Sequence, residues 1–316
     1  MSPVLFYCQT DTMEKHWPAL SYDKGKDTYE TLQLFTQIVG KLKLATLPWM
    51  NHSWHVALHL TPRGLTTMAL PYQSRTFQID FDFISHQLQV VTSEGAIKQF
   101  ALQGLSVAAF YKTIFAHLND LQIAIQIMPV PVEIVDPIPF EDDETHASYD
   151  QEQVVALHQA LLRMQAVFME FRGGFKGKSS PFHFFWGSFD MALSFFSGKE
   201  APKHPGGVPG LPNWVAEEAY CREVSSCGFW PGNESLPEAA FYCYHYPEPE
   251  GYKTGQVEPK EAYYHQTLGE YILTYAAVQS AEDPAGKLLA FLKSTYQIGA
   301  DRAQWDRALL DEIKDL

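Results

Sequence analysis

The residues able to move a proton or hold a metal near neutral pH are scattered along this chain. His52 and His55 flank Trp54; His183 and Asp190 bracket Phe184-Phe185-Trp186; His204, Glu223 and His245 lie in or beside a long stretch rich in Gly and Pro. An imidazole beside a carboxylate can pass protons near neutrality or ligate a metal. In a catalytic arrangement His55 or His183 serves as general base, and Glu223 or Asp190 orients it. His52, Trp54, Trp186, His204 and Trp230 would then hold the ligand. The plainer account is structural, because large aromatics fill cores and most single histidines are satisfied inside them. Only convergence of several of these groups on one cavity separates the two accounts.

Other motifs fail on chemistry. Gly173-Gly174-Phe175-Lys176-Gly177-Lys178-Ser179 imitates a phosphate loop, but Arg172 occupies the position of the required first glycine and a helix precedes it. Gly187-Ser188-Phe189-Asp190 lacks the second glycine of a nucleophile elbow. His55 and His59 have helical chelate spacing in a segment that alternates like a strand. Four residues along a strand separate two side chains by about 13 Å, too far to share a metal. His55, Asp80 and Asp82 could share one sheet face, although a solvated face is ordinary in antiparallel sheets.

The elements that must position these groups read as α+β in two similar halves, residues 1–140 and 141–316, each a helix, an antiparallel meander and a helix. Asp27-Thr28-Tyr29-Glu30 resembles a capping box before the periodic Leu32, Phe35, Ile38, Val39 and Leu42. Alternation from Ser53 to Leu60 and from Phe77 to Phe83 predicts strands, followed by Leu88–Thr92 and Ile97–Leu102 and a helix from Ser106. Prolines 129, 131, 137 and 139 frame a linker. Asp150 caps the next helix, which ends at Gly173-Gly174; Phe182–Phe196, Phe241–Tyr246 and Glu270–Tyr275 read as strands; and Asp283-Pro284 opens another helix. Residues 198–238 predict an ordered irregular loop that buries Trp214, Phe229 and Trp230 against the second sheet.

Composition bounds the partners. Lys+Arg 23 against Asp+Glu 37 gives a net charge of -14, which repels phosphate backbones and anionic membranes. No apolar run approaches the roughly 18 residues of a membrane span, and Met1-Ser2-Pro3-Val4 does not begin like a signal peptide. Cys8, Cys221, Cys227 and Cys243 form no CxxC pair, so neither a zinc site nor a disulfide framework is expected and a reduced cytosol is the simplest compartment. Cofactor, metal and oligomeric state are left unassigned.

Five blocks carry a family resemblance. Asn51-His52-Ser53-Trp54-His55, Pro181 through Asp190, His204-Pro205-Gly206-Gly207, Glu223 through Gly232, and Tyr246-Pro247-Glu248-Pro249 resemble the signature of an uncharacterised bacterial family, domain of unknown function 5996. The resemblance spans nearly the whole chain and implies no activity. It does enclose His52, His55, His183, His204 and Glu223. Arg222 stands where the family usually has His, so a metal site needing an imidazole there loses a ligand. His59 stands where an aromatic is usual and ranks last as a site residue. The leading expectation is a small-molecule site between the halves and under the long loop, with hydrolysis as the suited reaction class. The alternative is a non-catalytic binding or protein-interaction protein using the aromatic loop.

Overall fold

The computed structural model describes residues 17–311, an α+β arrangement with seven helices and two antiparallel sheets among those residues. Helix α1 (Tyr22–Thr46) buries Leu32, Phe35, Ile38, Val39 and Leu42 at the expected spacing. It starts earlier than the capping box suggests. Ser21 is the N-cap, and Asp27 lies inside the helix, its carbonyl accepting from the Thr31 hydroxyl. Gly25 lies inside the helix, where the Tyr29 ring occupies the space a side chain would take.

The strand expected from Ser53 to Leu60 is absent for most of its length. Asn51–Ser53 is a 3-10 turn with His52 and Ser53 at left-handed φ of 58° and 57°, and pairing begins only at β1 (His59–Thr61). Val56 and Leu58 are apolar because they enter the core. Leu58 also exchanges two backbone hydrogen bonds of 2.9 Å with Phe184 of the other sheet. β2 (Gly64–Thr66), β3 (Leu70–Tyr72), β4 (Arg75–Asp82), β5 (Gln87–Thr92) and β6 (Ile97–Ala101) complete a sheet in the order β1-β2-β4-β5-β6, with β3 also on β4. Asp82 is not free for chemistry, since Arg63 binds it at 2.6 Å and it accepts from the amides of Ile84 and Ser85; Asp80 accepts from Gln78. Helix α2 (Val107–Asp120), capped by Ser106, stacks Phe110 on Phe35 of α1 at 4.1 Å.

The second sheet follows α3 (Gln151–Gly173), whose N-cap Asp150 accepts from the amides of Glu152 and Gln153. Its strands are β7 (Lys178–Ser179), β8 (His183–Phe185), β9 (Asp190–Glu200), β10 (Arg222–Trp230), β11 (Ala240–Tyr246), β12 (Tyr263–His265) and β13 (Glu270–Thr274). They lie in the order β12-β13-β11-β10-β9-β7, with β8 also on β9. Helix α4 (Asn213–Ala219) interrupts them, and α5 (Tyr275–Gln279), α6 (Pro284–Arg302) and α7 (Arg307–Leu310) close the described chain.

Residues 198–238 are therefore not one loop over the sheet. They hold the end of β9, α4 and β10, and β10 is a central strand paired with both β9 and β11. Its Ser225-Ser226-Cys227-Gly228 core shows no apolar alternation because both faces are covered and small residues fit there. Phe229 is buried and Trp230 half-buried, but Trp214 is 52% exposed and packs at a tilt against Trp49 at 4.6 Å.

Register divides the second sheet into unlike faces. Leu193, Phe195, Cys227, Phe241 and Cys243 face the core, where Phe195 meets Phe171 of α3 at 5.0 Å and Tyr296 of α6 at 5.5 Å. The opposite face carries Asp190, Ser194, Ser226, Tyr242, Tyr244 and Glu270. The β8–β9 turn docks on α1. Gln33 Nε2 donates to Gly187 O at 2.6 Å, Gln37 exchanges hydrogen bonds of 2.9 Å with the Val132 backbone, and Gly40 leaves room for the Trp186 ring. One continuous hydrophobic core runs from α1 to α7.

Candidate functional site

The histidines expected to act as bases are buried in a basic group beside α1. His183 is 1% exposed; its Nδ1 faces Pro181 O at 2.6 Å, which fixes the proton there and leaves Nε2 as a bare acceptor without a partner. Burial pushes this imidazole down to about 4, and the charges of His59 and Lys43 add to the effect. His55 accepts from Met50 N at 3.1 Å and packs on Trp49 at 4.7 Å; its Nε2 also lacks a partner. Burial lowers its pKa too, against the pull of the Met50 hydrogen bond. Lys43, whose Nζ donates to Ala57 O, is pushed by burial down to about 8, and His59 to about 4. At neutral pH these imidazoles are largely uncharged; His55 and His183 are buried and His59 is half-buried.

Glu223 does not join them. Its Oε2 accepts from Ser197 Oγ at 2.8 Å and lies 3.9 Å from Lys199 Nζ, which donates to the carbonyls of Ala303 and Gln304 at the end of α6. His183 pairs with Ala192, on the other face of the sheet. A strand separates its neighbours onto opposite faces, so no trio of His55, His183 and Glu223 forms around one cavity.

The proposed ligand-holding groups also divide. His52 lies 2.8 Å from Ala219 O and, with Trp54, packs on Phe196. His204 stacks on Tyr220 at 4.5 Å and accepts from Gly206 N. Trp186 is a core residue that donates to Val56 O at 2.9 Å. Of these groups, Trp230 lines an open cavity, together with Ser188.

That cavity is a cleft of about 550 Å3 between α1, residues 131–138 and the loop after β10, so both sides of residue 140 contribute to it. Glu133, Ser188, Phe189 and Trp230 are on its wall. Asp190 lies directly behind, accepting hydrogen bonds from Ser188 Oγ and Tyr242 Oη, and Tyr242 packs on Trp230 at 5.4 Å. Deeper on the same sheet face are Glu270 and the Tyr220–Tyr244 hydroxyl pair at 2.8 Å.

The electrostatics of this region are those of carboxyls without counterions. Burial pushes Glu133 up to about 7, and the Asp190 charge adds to it. Burial and Asp190 push Glu270 up to about 8, and Glu270 Oε2 has no partner. Asp190 is raised by burial as well, opposed by its two hydroxyl donors. Hydrogen bonds to the charged form favour ionisation. Asp190 thus has two hydroxyl donors that offset part of that rise, and Glu133 has no donor among the described residues. No ion pair among the described residues reaches any of the three. Among those residues no group of three or more His, Cys, Asp or Glu is placed to hold a metal ion.

Of this set only Asp190 and Trp230 were legible as candidates. Glu133 sits in the proline-framed linker and Glu270 at the start of a strand, where a carboxylate is unremarked. The one available signal was the alternation of Tyr242 and Tyr244 with Phe241 and Cys243, which sets phenols on one face of β11.

Fold and cleft define an α+β protein whose second sheet turns an acidic, phenol-rich face toward a small-molecule-sized opening. The profile of the family described as Family of unknown function (DUF5996) matches residues 17–312, and the chain belongs to that family. No curated protein and no solved structure matches the chain.

Proposed function

We propose that the protein binds a small polar molecule in the cleft and exchanges a proton with it through Glu133. One observation carries this: a carboxyl poised near pH 7 opens on a cavity of about 550 Å3, beside a second carboxyl whose hydrogen bonds favour its charge. A carboxyl on a cleft wall whose proton affinity burial raises into the physiological range is a candidate acid–base group. In a hydrolytic reaction Glu133 would protonate the leaving group, with Asp190 stabilising the charge that develops. The acid–base pair of this reading is therefore two carboxyls, not the imidazole and carboxylate expected from the residue types.

A cytoplasmic, bacterial setting accompanies this reading. It draws on the family resemblance and on Cys227 and Cys243, which face each other across β10 and β11 as free thiols. No described helix is long and apolar enough to cross a membrane.

The test is a thermal-shift screen of small molecules spanning amines, acids, polyols and esters. The reading expects stabilisers whose effect disappears in Glu133→Gln and persists in Glu223→Gln. Stabilisers indifferent to Glu133→Gln would refute it. A second reading, an interaction surface, is favoured by one feature: Trp49, Met50 and Trp214 are 41%, 50% and 52% exposed, and the two indoles are in contact. Its signature is self-association or partner binding lost in Trp214→Ser with the cleft unaffected.

A further inference from the structure

Resting on that reading, we propose that the cleft takes an organic cation, a protonated amine or guanidine, with its charge at the Glu133 carboxyl and its carbon frame against Trp230 and Phe189. The lining is unbalanced in sign. Glu30, Glu133, Asp136, Asp143 and Glu234 face it, against Lys26 and His146. Both bases are spoken for near the mouth: His146 Nδ1 lies 2.7 Å from Asp143, and both His146 and Lys26 act on Glu30. Neither acts on Glu133.

Glu133 is placed as though to meet something. Its backbone is held at φ 60°, a left-handed conformation uncommon for a residue with a Cβ, and its N–H donates to Pro209 O at 2.9 Å. Its carboxyl rests on Gly187, where any side chain would collide with Oε1. No hydrogen bond or ion pair among the described residues uses that carboxyl. Behind it both oxygens of Asp190 are engaged by Ser188 and Tyr242, and Glu270 Oε2 is buried and unpartnered. Buried carboxyls without a cation relieve the repulsion in one of two ways, by taking protons or by taking a cation from outside.

The chemistry narrows the cation. With Asp190 engaged and no donor group of three, a bare metal ion lacks ligands. The opening is the size of an organic molecule, and the indole and phenyl rings on its wall offer cation–π faces. An anion would be repelled, and a neutral polyol would leave the carboxylate unpaired.

Binding a cation must release protons. The groups facing Glu133 are Asp190 and Tyr220 from behind and Tyr22, Tyr29, Lys26, Glu30, Asp143 and His146 across the cleft. Glu270 faces Asp190, Tyr220, Tyr242, Tyr244 and Tyr264 and pairs with His265. Over pH 6 to 8 Glu133 goes from roughly a tenth to roughly nine tenths charged, as a group titrating at about 7 does.

Calorimetry with benzylamine, 1,5-diaminopentane and agmatine, beside benzyl alcohol and 1,5-pentanediol, tests this on the full chain. The amines should bind and the alcohols should not. Affinity should rise roughly tenfold from pH 6 to pH 8 with proton release, by linkage. Glu133→Gln should lose at least about tenfold, whereas the surface control Glu144→Gln should not. Trp230→Leu, a second variant, should weaken benzylamine more than 1,5-diaminopentane. Alcohols binding as tightly as amines, with both lost in Glu133→Gln, would overturn the cation and leave the cleft reading standing. Amine binding untouched by Glu133→Gln would expose mere attraction to an acidic surface and overturn the inference. No binding by any of the five would overturn it too, and the wider screen would then decide the cleft reading separately.

Discussion

Glu133→Gln should make the protein more stable, and only at neutral to alkaline pH. In the folded protein the carboxyl is raised by burial, and then by Asp190, from 4.5 to about 7. The folded state therefore holds its proton over a range in which the unfolded chain has released it, so stability falls as pH rises from about 4.5 to about 7. A shift of about 2.5 units corresponds to roughly 3 kcal/mol at pH 8, an upper figure because the side chain lines an open cleft. Glutamine has the shape of the protonated acid and no charge, so the variant escapes that loss. At pH 4.5 the two proteins should be nearly equal. By pH 8 the variant should lead by about 1–3 kcal/mol, which for a chain of this size is a gain of roughly 2–5 °C in melting temperature. Urea unfolding at pH 5, 6, 7 and 8 measures the gap. A gap that does not widen with pH, or a variant less stable than wild type at pH 8, would show that Glu133 titrates as an ordinary surface carboxylate, and the acid–base role would go with it.

Related outcomes follow from the same geometry. Glu270→Gln should show the same sign with a midpoint displaced upward, because burial and Asp190 raise that carboxyl to about 8; the same pH series reads it. Burial depresses His183 and His59 to about 4 and His245 to about 3, so there the unfolded chain binds the extra protons and stability should drop as pH falls below about 6.5; His183→Phe should flatten part of that acid limb in a melting-temperature profile. Trp186→Phe should cost about 1–3 kcal/mol through the lost bond to Val56 O and the space left over Gly40, yet leave amine affinity unchanged in calorimetry. Duplex and single-stranded nucleic acid should show no submicromolar binding at physiological salt in a filter or anisotropy assay, given a net charge of -14.

What was legible in the sequence was what local chemistry decides. Ser106, Asp150 and Asp283 cap their helices as their types and spacing suggest, since a cap is satisfied within its own first turn. Phe77, Ile79 and Phe81 alternate with Gln78 and Asp80 because that sheet buries one face. The failures share a cause. Trp54, Val56 and Leu58 imitate a strand but answer to separate neighbours, Phe196, Trp186 and Phe184, all distant in the chain. β10 hides its identity because a strand covered on both faces and crossed by a tyrosine pair selects small residues over an alternating pattern. Asp27 has the composition of a cap, but only Ser21 has the extended backbone of one.

The candidate histidines and the cleft carboxyls differ for a physical reason. By residue type, histidine is the natural base because its unperturbed pKa lies near neutrality, with glutamate as its orienting partner. Burial reverses those roles. It disfavours charge of either sign, so it drives imidazoles down out of the physiological range and carboxyls up into it. Residue type predicts titration only for a solvated group, and His183 and Glu133 are largely desolvated. His183, at 1% exposure, is pushed to about 4, while Glu133, in a linker chosen for its prolines, is pushed to about 7. The placement that does this is assembled from three distant segments: the linker bends Glu133 inward at φ 60°, the β8–β9 turn supplies Gly187 to receive it, and β9 sets Asp190 behind. Each segment alone is unremarkable. Their meeting produces a carboxyl that is destabilising to the fold and close to half-ionised at neutral pH, a combination that packing alone gives no reason to keep.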